Sequence, residues 1–597
     1  MSKGKTVMHP QPSQKDMKIL EELYSSEKFS KLEIETKALL KKYPKVPVLL
    51  NILGFSLHKQ GHLNAAVTNY KEAIIIDPKF VFAHNNLGNV FKDLGKFTEA
   101  ISKYQDSINL NPNYAEAYYN QGLVYKKIHK YSKSIESFQC ALKIKPHYLE
   151  AYFDLGQALV SVGQFEEAIK NFEKVIDLKP DLSLAYNNIF FTLMYMGKDN
   201  HNFFLSIAKK FRSSIKNIDK SLLLKYQFEN KPKKLRIGFV SGDFWSHPVG
   251  YLLLDTVKNL KNKNLELVAY SNFSKKDDVS IKLKSYFNHW HEIEDKKDIE
   301  VINQIRKDKI NILFDLAGHS AKNRLTVFMN KPAPMQISWA GYPGFVGIPE
   351  IDYIIGDRYV TPEKENNFFT EKVYLLPNIW MCFTPPEYEV EIKELQAIKN
   401  KYITFGSFNN LPKINKEVVF LWSKILKAVP KSKIFLKSHV LNDSYFKKLI
   451  INNFEKNNIN ADSIILEGRS TRKEYFACYN KIDIALDPFP WSGGISTWEA
   501  IWMGVPVLTK KGYKSFASHQ TESINYNAEM SDWIAKDEKE YLDKAIKFAS
   551  NINLLAKIRR NLRKKTLKLP VFDSTLFAKE FNIALWKIWD NFIKQNK

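Results

Sequence analysis

The chain has 597 residues, 44% hydrophobic and 13% aromatic, and a formal net charge of +25. At roughly 100–200 residues per domain that length holds three or four domains, and the apolar fraction excludes a disordered or fibrous chain. Three cysteines, Cys140, Cys382 and Cys478, with no CxxC pair, exclude a disulfide framework and a cysteine-based zinc site. The first residues lack the apolar core of a signal peptide and no run approaches ~18 uncharged apolar residues, so a cytoplasmic protein without a membrane partner is expected. The charge is uneven: residues 47–200 balance to +1 and residues 201–597 carry +20. Most of the excess is Lys rather than Arg. Without an RNA module, a DNA-binding helix pair or a basic-aromatic stripe, it reads as a Lys-rich surface and not as a nucleic-acid footprint.

Pro44, Pro78, Pro112, Pro146 and Pro180 recur every 34 residues. Gly54, Gly88, Gly122 and Gly156 keep the same step, as do Ala66, Ala100, Ser134 and Ala168, and the rings of Tyr70, Tyr104, Phe138 and Phe172. Small residues let two helices approach, aromatics fill the gap, and each proline ends the second helix of its pair. The pattern resembles the tetratricopeptide repeat, a helix–turn–helix unit that stacks into a superhelix. Residues 1–46 read as a degenerate repeat or cap, with Leu32 in place of the small residue, and residues 47–230 as repeats and connecting helices. Such an array binds protein or peptide along its groove and offers a route to oligomers. Asn85, Asn86, Asn120, Asn187 and Asn188 fall on first helices of the pairs, either as groove donors to a peptide backbone or as ordinary solvated positions.

From residue 231 short apolar runs alternate with amphipathic helices. The first set is 235–240, 265–270, 310–316, 336–339, 353–355 and 373–376. The second is 402–405, 433–436, 463–466, 482–486 and 505–508. Alternating strand and helix predict parallel, doubly wound sheets, and the proline-rich break near 380–400 predicts two of them. The fold class is therefore an α-superhelix followed by two Rossmann-like α/β domains, at 231–395 and 396–570, with a final helix at 571–597 packing back on them. Its apolar side carries Trp586, Trp589 and Phe592.

The densest segment is Asp487-Pro-Phe-Pro-Trp-Ser-Gly-Gly-Ile-Ser-Thr-Trp-Glu. A strand ends in a proline-stiffened turn, two glycines follow, and a helix opens near Ser496. A helix N-terminus with glycine at its mouth suits a diphosphate. Ser496 and Glu499 also fit the S-x-x-E capping box, a purely structural device.

This segment, together with Gly242-Asp-Phe-Trp-Ser-His-Pro and Lys331-Pro-Ala-Pro-Met-Gln-Ile-Ser-Trp-Ala-Gly-Tyr-Pro-Gly, resembles the protein O-GlcNAc transferase and Spindly family, bacterial-type branch. That family joins tetratricopeptide repeats to a GT-B glycosyltransferase. The resemblance implies transfer of a sugar, GlcNAc from UDP-GlcNAc, to Ser or Thr hydroxyls of a protein acceptor, with inversion and with neither metal nor other cofactor. It assigns Lys413 to the diphosphate and Asn410 to donor binding. Ser470, Thr471 and Arg472 fall to the nucleotide base, Gly494, Ile495, Ser496 and Thr497 to the phosphate turn, and Glu499 to the ribose. His247 matches a cleft-lip histidine, a general base or a sugar or acceptor contact, and His319 ends a strand toward the same cleft. Asn311 replaces a histidine of the animal enzymes, and Ile495 a threonine, which removes one hydroxyl from the phosphate turn. UDP-glucose, GDP-fucose and a non-catalytic scaffold are the alternatives.

Overall fold

The computed structural model describes residues 11–197, 200–215, 229 and 231–595. The chain divides into two compact units, one through Leu178 and one from Lys179 onward.

The first unit is five helix pairs: α1 Gln14–Ser25 and α2 Phe29–Lys42, α3 Pro47–Lys59 and α4 Leu63–Ile76, α5 Val81–Asp93 and α6 Phe97–Leu110, α7 Ala115–Lys127 and α8 Tyr131–Ile144, α9 Leu149–Ser161 and α10 Phe165–Leu178. Ala66, Ala100 and Ala168 are fully buried, as are the four periodic rings. The periodic glycines lie under those rings: a Cβ at Gly156 would fall 2.5 Å from Phe172 Cε1, and one at Gly54 2.8 Å from Tyr70 Cε1. The turn inside each pair also repeats, in the left-handed region, at Glu27, Gly61, Gly95, His129 and Gly163. The first pair therefore shares the repeat geometry, and Leu32 is fully buried at its small-residue position. The asparagines of the first helices mostly engage each other. Asn86 Nδ2 donates to Asn51 Oδ1 and Asn120 Nδ2 to Asn85 Oδ1, both at 3.0 Å.

The second unit opens with α11 Ser183–Met196 and α12 His201–Ser214, which the sequence groups with the repeats. A seven-stranded parallel sheet follows: β1 Leu235–Ser241, β2 Leu265–Ser271, β3 His289–Glu292, β4 Ile312–Asp315, β5 Met335–Ser338, β6 Tyr353–Asp357 and β7 Lys372–Leu376, in the order β3-β2-β1-β4-β5-β6-β7. The second sheet has β8 Thr404–Ser407, β9 Lys433–Lys437, β10 Ile464–Glu467, β11 Ile484–Leu486, β12 Val507–Lys510 and β13 Ile534–Ala535, in the order β10-β9-β8-β11-β12-β13. Each order reverses once, between β1 and β4 and between β8 and β11. In open α/β sheets that reversal is where ligands bind, beyond the carboxyl ends of the strands.

Helix Phe516–Asn527 ties the two sheets together. Ser523 Oγ donates to Asp357 at 2.6 Å, His519 bridges Glu365 (3.0 Å) and Glu522 (2.6 Å), and Tyr526 stacks on Tyr359 at 4.1 Å. Helix Ser574–Gln595 returns to the first sheet, setting Phe581 against Phe314 and Trp339. Trp589 is fully buried on its apolar side. Among the described residues no helix is long and apolar enough to cross a membrane.

Candidate active site

Both reversal points open onto one cleft of about 590 Å³. β1 leads to His247, β8 to Asn410 and Lys413, and β11 to the turn Gly493–Ser496. Nine of the expected residues line it: His247, Asn410, Lys413, Ser470, Arg472, Gly494, Ile495, Ser496 and Glu499. They come from loops far apart in sequence, and the two parallel sheets bring them together.

Helix Ile495–Trp502 begins at this cleft with Gly494 as its N-cap and no side-chain cap. The capping-box alternative is thereby overturned. Ser496 Oγ donates to Asn409 Oδ1 at 3.2 Å, and Glu499 lies inside the helix, 3.3 Å from Arg472 Nη1. As the first groups of the helix, the N–H donors of Ile495 and Ser496 have no intrahelical acceptor and sit at the positive end of its dipole. The turn before them is anchored from below: Asp487 accepts from Gly493 N at 2.6 Å and Thr509 Oγ1 at 2.7 Å, and Thr521 Oγ1 donates to Gly493 O at 3.1 Å.

Lys413 reaches across to that turn. Its Nζ donates to Ser492 O at 2.8 Å and lies 4.6 Å from the centre of the Trp491 ring. Burial pushes its pKa down to about 8, against the pull of the Asp487 carboxylate, and burial pushes Asp487 up. At neutral pH the cleft therefore holds an ammonium beside open backbone donors, a setting for an anion. Arg472 lies over the Tyr251 ring at 4.1 Å, so the second sheet touches the first across the cleft. Glu499 is buried, which raises its pKa, and Arg472 opposes that rise.

His247 is the N-cap of α13 Pro248–Leu260, its Nδ1 accepting from Val249 N at 3.4 Å and lying 3.5 Å from Asp243 Oδ1. Burial lowers its pKa and Asp243 opposes the shift. Nδ1 thus faces both a backbone N–H and the Asp243 carboxylate: a proton on Nδ1 donates to Asp243 and leaves Nε2 a base, and a proton on Nε2 makes Nε2 a donor.

Three expected residues do not line the cleft. Thr471 closes a capping box with Glu474 at the start of helix Arg472–Cys478. Thr497 is buried beneath the turn, 2.8 Å from Thr521 Oγ1. His319 follows β4 but turns away from the cleft into a fully buried setting against Phe190 and Phe204. Its Nε2 is 2.7 Å from Val346 O and its Nδ1 2.8 Å from the Asn187 amide, and burial drops its pKa to about 3. A neutral ring donates once, to Val346, so the Asn187 contact needs the amide N–H₂ facing Nδ1. Asn187 is thus a packing partner, and Asn188 Nδ2 bonds its own helix at Leu184 O, 2.8 Å. Asn311 lies at the start of β4, the end of the sheet opposite the cleft, where Oδ1 accepts from Arg236 N at 2.9 Å.

The sequence reading missed the aromatic walls: Phe191, Tyr251, Tyr475 and Trp491 all line the cleft. Tyr251 follows His247 by one helical turn and Trp491 sits inside the quoted turn, so both carried a local signal; Phe191 carried none. Among the described residues no group of three or more His, Cys, Asp or Glu side chains is arranged to hold a metal ion.

The profile of glycosyl transferase family 41 matches residues 194–384 and 384–581, and tetratricopeptide-repeat profiles match 54–95, 88–128, 115–148 and 149–182. The chain is 31% identical over 366 residues to the probable UDP-N-acetylglucosamine–peptide N-acetylglucosaminyltransferase SPINDLY of Hordeum vulgare, covering 60% of this chain and 39% of that protein. It is 27% identical over 371 residues to the protein of like name, SEC, of Arabidopsis thaliana, covering 60% and 37%. The alignments thus span less than half the length of these relatives. A lysine-to-methionine mutant of the Thermobaculum terrenum O-GlcNAc transferase superposes with a TM-score of 0.76 at 26% identity, covering 87% of this chain and 98% of that one. The chain belongs to glycosyl transferase family 41.

Proposed function

We propose that the chain is a protein O-glycosyltransferase that moves N-acetylglucosamine from UDP-GlcNAc to Ser or Thr hydroxyls, with inversion and without a metal, on acceptors presented by the repeat array. The observation that carries this reading is the meeting of Lys413 with the uncapped N-terminus of helix Ile495–Trp502 in one cleft. The donor and acceptor class follow the names borne by the relatives. As the bond from the sugar to the diphosphate breaks, negative charge grows on the leaving oxygens. The Lys413 ammonium and the Ile495 and Ser496 N–H groups are placed to take it up, and fixed donors aimed at developing charge lower the barrier. Asn410 and Ser496 line the same pocket, Ser470 and Arg472 border the nucleotide end, and Glu499 offers a carboxylate to a ribose hydroxyl. Thr471 and Thr497 then act only by shaping the loops that carry these groups. His247, with Asp243 beside its Nδ1, contacts the sugar or the acceptor hydroxyl at the cleft lip, as a binding group or as the base that takes the hydroxyl proton. Residues 1–46 and the repeats after them present the polypeptide, and 231–395 and 396–570 form the two halves of the transfer site.

A donor panel tests the reading. UDP-GlcNAc is expected to raise the melting temperature and to label protein acceptors, since a ligand of the native state stabilises it. Stabilisation by GDP-fucose or UDP-glucose alone would overturn the donor assignment, and no response to any nucleotide sugar would overturn the transferase reading.

A further inference from the structure

Lys413 has four rotatable side-chain bonds, and a flexible ammonium at a cleft wall is a poor electrostatic tool unless something holds it. Two contacts hold this one: the Ser492 carbonyl at 2.8 Å and the face of Trp491 at 4.6 Å. A cation over an indole face is attracted by the ring quadrupole, most strongly where water is excluded. The indole is itself buried and buttressed by α11, with Tyr195 at 4.6 Å and Phe191 at 5.3 Å, the latter near edge-on. α11 belongs to neither sheet. It lies just ahead of the two Rossmann-like domains, and its aromatic face reaches the turn that carries Gly493 to Ser496.

We propose that Trp491 is a positioning residue for Lys413, and that α11, through Phe191 and Tyr195, holds the indole in the orientation that aims the ammonium at the diphosphate. The inference rests on the reading of Lys413 as the diphosphate contact and adds to it a helix outside the two Rossmann-like sheets. Trp491 acts through the lysine, so its removal has an effect only while the lysine is present.

The test is calorimetric titration of the full-length protein with UDP for the wild type, W491L, K413A and the double variant. W491L is expected to weaken UDP binding about tenfold in the wild-type background and less than twofold in the K413A background, with W491F recovering most of the loss. F191L, which removes part of the buttress and keeps the indole, is expected to weaken UDP in the same direction and to be silent in K413A. It serves where W491L fails to fold. An equal loss in both backgrounds would overturn the proposal, because the indole would then touch the nucleotide or act on the fold. So would wild-type affinity in both W491L and F191L. If K413A itself bound UDP as tightly as the wild type, the diphosphate reading would fall, a result distinct from failure of the tryptophan variants alone.

Discussion

Replacing Lys413 by alanine removes the ammonium that donates to Ser492 O beside the phosphate turn while leaving that turn built. Asp487 keeps its bonds to Gly493 and Thr509, and Thr521 still holds Gly493 O. A hydrogen bond to a charged group contributes about 1.5–3 kcal/mol, so UDP affinity should fall by about 10- to 150-fold. Charge on the diphosphate grows as the sugar leaves, so turnover should fall further, by about 10²–10³-fold, the loss typical of one removed oxyanion donor. The pH dependence gives an independent check. Burial holds Lys413 at about 8, and the diphosphate binds the protonated form. Wild-type affinity should therefore be level below about pH 8 and decline above it, by up to about tenfold per pH unit, whereas K413A should stay level. Titration with UDP between pH 7 and 9.5 reads both quantities. A K413A affinity within twofold of the wild type, or a wild-type affinity unchanged to pH 9.5, would refute the reasoning.

His319→Ala should lower the melting temperature, since it leaves buried polar partners unmatched at about 1–3 kcal/mol, yet leave UDP affinity of the folded protein unchanged; a selective loss of UDP affinity would return His319 to the cleft. Gly156→Ala should destabilise the repeats, because overpacking costs about 1–3 kcal/mol against a helix-propensity gain of about 0.5–1 kcal/mol. Chemical denaturation should rank it below Gly54→Ala, where the clash is milder, and a net stabilisation would contradict the packing. Deleting residues 1–178 should preserve donor hydrolysis and abolish transfer to protein, whereas a deletion to residue 200 should fail to fold because it takes away α11. Full protein transfer by the shorter form would remove the repeats from acceptor binding.

The 34-residue period was legible because each repeat meets its neighbours in the same way, so the packing demand is written again at every step. The Rossmann-like alternation was legible for a similar reason, since strands buried on both faces read as apolar runs. β3 was missed because it is an edge strand of four polar and aromatic residues, exposed or half-buried, and β13 because it is only two residues long. The Gly493–Ser496 turn showed itself through glycine and proline, which act locally on the backbone.

Lys413, His247 and Glu499 were assigned to the site only by the family resemblance. What the sequence alone determined, then, is the order and type of the elements and the glycine- and proline-marked turn at Gly493–Ser496. Those depend on near-neighbour chemistry. Tertiary structure decided which side of each loop faces the cleft. It sent His319 inward to Asn187 and Val346, tied up Thr471 in a cap, left Ser496 and Glu499 unpaired with each other, and carried Trp491, in the loop after β11, onto Phe191 and Tyr195 of a helix some 300 residues earlier. A side chain's direction is settled by what packs against it, and those partners are distant in sequence.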